Sequence, residues 1–256
     1  MTTSDIIKER LKQVESREDR LDKLESEFLR LAAHELRNPL TIIKGALCLV
    51  KEGDMGEVNP KQYEMLDRAN EQVDILNDII SKFLEMYRIE MRKLELFKEK
   101  LVITEVIEQV VREMGMQVSR KDLQMEVSSQ KPMHYVLGDS HKIKEVIANL
   151  LSNAIKFSYP GGRVKVRVSE GKDNVKTEII DNGEGMDKKL QNRLFKKFVT
   201  TNLANPKKGG GIGLGLAISK GIIEAHNGKI WAESKGHGKG SKFAFILPAY
   251  AKAPLN

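Results

Sequence analysis

Over residues 1–91 apolar side chains recur at steps of three and four, while beyond them short alternating runs appear between helical ones. At about 100° per residue, Leu21, Leu29, Ala32, Leu36, Leu40, Ile43, Leu47 and Val50 share one stripe of a helix running from about Ser4 to Lys51. The seam shifts phase between Glu18 and Leu24, so residues 1–24 read as a linker coiled coil. Gly53 and Gly56 break the run, and Asn59 followed by Pro60 reads as an N-cap with proline at the first helical position. A second helix then carries Leu66, Ala69, Val73, Leu76, Ile80, Phe83 and Tyr87 at bundle spacing. A short loop between two such helices predicts an antiparallel hairpin. Two helices alone leave seam faces in water, so the economical arrangement is a homodimer whose hairpins form a four-helix bundle.

From Arg92 onward glycines multiply and the two periods alternate. Strands are expected at Leu94–Lys98, Leu123–Val127, Val164–Val168, Val175–Ile180, Lys229–Glu233 and Lys242–Leu247. Helices are expected at Thr104–Met116, Asp139–Phe157 and Gly213–His226. Mixed strands and helices without a repeated βαβ unit predict an α+β fold, an α/β two-layer sandwich following the helical hairpin. The expected domains are 1–91, helical, and 92–250, mixed, with residues from Ala249 read as a frayed tail.

Composition narrows the class. The 256 residues are 31% charged and 40% hydrophobic, enough apolar content for a real core, and the formal net charge is +7. Acids and bases are interspersed, and the bases form no stripe with aromatics, which argues against a nucleic-acid partner despite the basic balance. Cys48 is the single cysteine, excluding an intrachain disulfide framework and a Cys-rich zinc site. No stretch approaches the ~18 uninterrupted apolar residues of a membrane span. The chain is expected in the cytoplasm, as a soluble protein or as the cytoplasmic portion of a membrane-anchored sensor.

Three elements of the second region carry chemistry. On the helix Asp139–Phe157, Asn149 and Asn153 lie one turn apart with Lys156 beyond them. An amide oxygen there can complete a magnesium shell alongside phosphate oxygens, and the lysine can neutralise phosphate; a solvated helix face would look the same. Next, Asp181, Gly183 and Gly185 follow an apolar strand, where a carboxylate can accept from an exocyclic amine. Finally Gly211, Gly213, Leu214, Gly215 and Leu216 open a helix whose N-terminal N–H groups suit phosphate. The glycine run is neither a P-loop nor a strong dinucleotide fingerprint.

In combination and in this order, the three elements resemble the GHKL (Bergerat) ATP-binding fold. Phe195 and Phe198 resemble its F box, and Gly236, Gly238 and Gly240 its final glycine element. The resemblance implies ATP held between two helices and a lid at Val199–Lys208, with Asn153 on Mg2+, Asn149 assisting, Lys156 on phosphate and Asp181 reading adenine. In the first region, His34, Glu35, Asn38 and Pro39 resemble the H box of sensor histidine kinases of two-component systems. The periodicity agrees independently: the apolar stripe lies roughly opposite His34, whereas Asn38, Thr41 and Gly45 fall within roughly 40° of it. A histidine facing away from its own core is not a packing residue.

The resemblance implies autophosphorylation of His34 from ATP, with Glu35 as proton acceptor, and transfer to an aspartate of a response-regulator receiver domain docked near His34. It implies an upstream sensor segment, and dephosphorylation of the regulator through Asn38. One departure is plain. Relatives carry arginine two residues after the second F-box phenylalanine, where this chain has Thr200; Lys197, Lys207 and Lys208 are the substitutes available. Two rival readings stand beside this one. A gyrase-, MutL- or Hsp90-type ATPase needs a glutamate base where Asn149 stands, and a nonenzymatic dimeric coiled-coil module binding nucleic acid would need the stripe of bases with aromatics that the chain lacks.

Overall fold

The computed structural model describes residues 29, 31–131, 133–200 and 212–250. The expected linker coiled coil over residues 1–24 lies outside them. The chain divides between Met91 and Arg92 into two units.

The first unit is a helical hairpin. Helix α1 covers residues 31–51, a turn follows with Gly53 and Gly56 at positive φ, and α2 spans Pro60–Glu90. Asn59 caps α2 as expected, and Gln62 completes the capping box: each side chain accepts from the other's backbone N–H at 2.9 Å. Each helix buries one apolar side chain, Ala33 on α1 and Val73 on α2, and the ion pairs Lys44–Asp74 and Lys51–Asp67 link the two. Much of the apolar stripe is not covered by the hairpin itself. Leu36 and Ile43 on α1, and Leu76 and Phe83 on α2, are each about half exposed.

The second unit stacks helices on one face of a five-stranded sheet in the order β2-β4-β5-β7-β6. Its strands are β2 (Gln124–Ser129), β4 (Arg163–Glu170), β5 (Asn174–Asp181), β6 (Lys229–Glu233) and β7 (Ser241–Pro248). β2 and β4 run parallel and the other pairs antiparallel. A separate two-stranded ladder joins β1 (Glu99–Val102) to β3 (Tyr135–Gly138). Helices α3 (Ile103–Glu113), α4 (Gly115–Arg120), α5 (Ser140–Phe157), α6 (Lys188–Gln191) and α7 (Gly215–Ala225) complete the unit. Alternation along β4 turns Val164, Val166 and Val168 inward, and β5 adds Val175, Thr177 and Ile179. α5 lies over this face, burying Ile143, Ile147, Leu150, Leu151 and Ala154, and packs against α3, α7 and β5.

Three expectations need correction. The strand expected at Leu94–Lys98 is irregular, and the observed strand starts at Glu99. Leu94 and Leu96 alternate correctly, but the Phe97 N–H donates to the Asp139 carboxylate at 3.0 Å instead of joining a ladder. The helix expected over Thr104–Met116 stops at Glu113, and a separate turn of helix starts at Gly115. Ala249, read as tail, bridges Val136 and donates to the Asp173 carbonyl at 3.1 Å.

Candidate active site

On α1, His34 stands in solvent with its side chain 71% exposed, although its neighbour Ala33 is buried. Its Nδ1 lies 3.9 Å from Glu35 Oε1 and 3.3 Å from Asn38 Nδ2, so one ring nitrogen meets both a carboxylate and an amide. Among the described residues no hydrogen bond is made by Nε2. The helix continues through Pro39, which cannot donate to the Glu35 carbonyl. One turn on, the Thr41 hydroxyl donates to the Arg37 carbonyl at 2.9 Å, and the Arg37 guanidinium reaches Ser81 of α2 at 3.0 Å.

In the second unit, a cavity of about 290 Å³ opens beside α5. Asn153 and Phe157 line it from α5, Asp181 from the end of β5, Gly185 from the loop after it, Leu216 from α7, and Phe243 from β7. Asp181 is 6% exposed, and its Oδ1 accepts from the Gly183 and Ser241 N–H groups at 2.9 and 3.2 Å. Burial nonetheless holds the Asp181 carboxyl above its ordinary range, outweighing those two donors. Such a group, walled by apolar side chains, suits a flat ligand offering an amine proton.

The structure separates the two asparagines that share a face of α5. Asn153 lines the cavity, whereas Asn149 donates to Ser219 of α7 at 2.8 Å. The Asn149 amide also packs on Gly215, where any Cβ would sit 2.6 Å from its oxygen, so only glycine lets α7 begin so close. Gly213 adopts φ 78° beneath the Val199 backbone, a second position closed to other residues, and its carbonyl accepts from the Phe198 N–H. Leu214 is buried at the start of α7. Lys156 is not among the cavity-lining residues; its ammonium rests 5.3 Å from the Phe157 ring, and burial lowers its pKa. Gly211, Lys207 and Lys208 lie outside the described residues, as does the expected lid from residue 201 onward.

Sequence reasoning missed Ser219, Ser234, Glu184 and His237. Ser234 accepts from the Met186 N–H and donates to the Gly240 carbonyl at 2.7 Å, tying the two glycine loops together. Gly238 and Gly240 donate to the carbonyls of Glu184 and Gly183. None of these carries a periodic signal: Ser219 joins two helices, Ser234 and Glu184 join loops distant in sequence, and His237 lines the cavity.

Residues 24–92 match the model of the His Kinase A (phospho-acceptor) domain, which contains His34. Residues 138–251 match that of the histidine kinase-, DNA gyrase B- and HSP90-like ATPases, which contains the cavity. The chain belongs to the sensor histidine kinases. This histidine kinase chain is 36% identical to the sensor protein KdpD of Clostridium acetobutylicum over 89% of its own length and 25% of KdpD's. It is 31% identical to the sensor histidine kinase WalK of Bacillus subtilis over 90% of its length and 38% of WalK's. Among solved structures, full-length ShkA in complex with AMPPNP superposes with a TM-score of 0.75 at 26% identity, covering 90% of this kinase chain and 47% of ShkA. The chain thus spans a quarter to two-fifths of those curated relatives. Among its described residues no helix is long and apolar enough to cross a membrane.

Proposed function

We propose that this chain is the ATP-dependent kinase core of a two-component sensor, phosphorylating His34 and passing the phosphoryl group to an aspartate of a response regulator. The observation that carries the reading is His34 itself, exposed and with Nδ1 set against the Glu35 carboxylate, in a chain that also holds the ATPase-type cavity. The Asn38 amide nitrogen can only donate and so meets a lone pair on Nδ1. In the reactive tautomer that contact is given up, the Nδ1 proton faces Glu35, and the Nε2 lone pair attacks the γ-phosphorus of ATP. The Nε2–P bond forms, the bond from phosphorus to the β,γ-bridging oxygen breaks, and ADP leaves with the electron pair. Glu35 takes the Nδ1 proton, leaving neutral phosphohistidine. A neutral imidazole suits this role because its ring nitrogen is nucleophilic without extreme activation.

In the cavity, Asp181 would accept from the adenine amine and the glycine-rich start of α7 would face phosphate, as in other helix N-terminal anion sites. The donor set fits magnesium in one way: Asn153 offers an amide oxygen at the wall, while Asn149 is engaged by Ser219 and so assists by holding α5 against α7. When bound, the ion would offset phosphate charge, its remaining positions filled by water and phosphate oxygens. Lys156 and Lys197 are the cations we assign to phosphate on this side.

The half-exposed apolar stripe of the hairpin supports a homodimer built as a four-helix bundle, with the regulator docking near His34. Asn38, one turn below His34, orients a water for dephosphorylating the regulator. The test is incubation with γ-labelled ATP and magnesium. The kinase reading expects protein-bound label that survives alkali but not acid and is absent in His34→Ala. Free phosphate without labelled protein would overturn it.

A further inference from the structure

The two helices that frame the cavity are joined a second time, at the end remote from it. His226 caps the C-terminus of α7 and is 2% exposed. Its Nδ1 lies 2.8 Å from the Ile222 carbonyl, which can only accept, so Nδ1 bears the proton. Its Nε2 lies 2.9 Å from the Asp139 N–H, which can only donate, so Nε2 presents its lone pair. Two backbone partners therefore select one neutral tautomer. Asp139 is the N-cap of α5, its carboxylate accepting from the Lys142 and Phe97 N–H groups at 3.1 and 3.0 Å. Gly138 leaves the space: a Cβ there would press on Ile143 and stand 3.2 Å from the imidazole.

We infer that His226 is a positioning residue for nucleotide binding, a neutral-imidazole brace whose protonation releases the α7 C-terminus from the α5 N-cap and weakens the ATP site. This rests on the nucleotide reading above and adds a proton dependence to it. A proton on Nε2 would point at the Asp139 N–H, so the imidazolium cannot keep the bond that the neutral ring makes. The helices must then part at one end. Asn149–Ser219 and Gly215 at the other end sit at the cavity, so rotation there displaces Asn153 and Leu216. The charged groups facing the ring are the Asp139 carboxylate, which favours its protonation, and Lys98, which opposes it. Burial is the larger influence and lowers the His226 pKa. The pH window therefore lies below the ordinary value of about 6.5.

The experiment measures the Kd of AMPPNP for the whole 256-residue chain between pH 5 and pH 8, in wild type and His226→Gln. Glutamine can accept from the Asp139 N–H without titrating. We expect the variant to bind within about threefold of wild type at pH 8 and to hold its affinity on acidification, while wild type loses about tenfold more by pH 5. The ratio of the two Kd values cancels titration of the nucleotide and of Asp181. A ratio constant with pH overturns the brace while leaving the nucleotide site standing; no binding by either protein at any pH overturns both. If His226→Gln folds poorly, 15N spectra of wild-type imidazoles decide instead. Reciprocity requires AMPPNP to lower the His226 titration midpoint, and an unmoved midpoint overturns the inference.

Discussion

The helical hairpin and the sheet unit solve the problem of burial differently. Among the described residues the hairpin buries two apolar side chains, Ala33 and Val73, although its helices carry a full seam each. The sheet unit buries a large apolar set spread from Leu101 to Leu247, with α5 alone contributing Ile143, Ile147, Leu150 and Leu151 at zero exposure. At about 1.5–3 kcal/mol for each large side chain removed from water, the sheet unit has its own stability, whereas the hairpin needs a second surface against Leu36, Ile43, Leu76 and Phe83. The chemistry divides along the same line. The proposed phosphoacceptor is exposed on the element with the smaller core, and the buried polar groups we assign to the nucleotide lie in the larger one.

The sharpest way to test this division is to remove chemistry from the hairpin without touching packing. His34→Ala should abolish phosphoprotein, with at least a thousandfold loss, yet leave AMPPNP affinity within about twofold, since His34 lies outside the cavity. Loss of nucleotide affinity in that variant would show that the two functions are not separable. The converse substitution is Asp181→Asn. It should lower nucleotide affinity by about ten- to a hundredfold, the worth of a hydrogen bond to a buried charged acceptor, measured by calorimetry.

The same variant has a second readout. Because burial raises the Asp181 pKa, the folded protein binds that proton more readily than the unfolded chain does. Stability is then lost as pH rises through the interval between the ordinary carboxylate value and the raised one. Asparagine escapes that cost and still accepts from Gly183 and Ser241, so the nucleotide-free variant should melt at or above the wild-type Tm at neutral pH. A clearly lower Tm would mean that the carboxylate is structural.

Packing variants should separate the units next. Ile43→Glu places charge on the open stripe of α1 and should convert a dimer to monomer by light scattering while the near-ultraviolet signal of Trp231, on β6, stays unchanged. Gly213→Ala, at φ 78° under Val199, should cost about 1–3 kcal/mol of the sheet unit's stability, read as a lowered Tm. The smallest change is Asn38→Ala: autophosphorylation within about threefold of wild type, with dephosphorylation of the regulator lost. Equal dephosphorylation by variant and wild type would remove Asn38 from that role.

Much of the fold was legible because its periods are long. The seam of α2, the buried face of α5 and the alternation of β4, β6 and β7 each repeat often enough to identify the element. The pair β1–β3 was not, because four-residue strands offer only two inward positions apiece, and Leu94–Lys98 mimics the same alternation without a partner. Asn153, Asp181 and Gly213 were legible as candidates because their types are costly where they stand: an amide in a helix, a carboxylate at the end of an apolar strand, a glycine before a helix. Asn149 was placed on the right face, but the neighbour that claims its amide, Ser219, is seventy positions away.

Residue types and spacings by themselves determined the longer helices and most strands of the five-stranded sheet, that His34 points away from its own apolar stripe, and which side chains are chemically apt for phosphate and adenine. These are local properties, set by backbone periodicity and by the few residues that tolerate a given φ. Only the tertiary structure decided that Asn149 braces α7 while Asn153 meets the cavity, that Asp181 loses water on nearly every side, and that His226 is held as one neutral tautomer. Those outcomes depend on which group occupies each remaining hydrogen-bonding direction. That is decided by elements far apart in the chain, packed until no water can intervene.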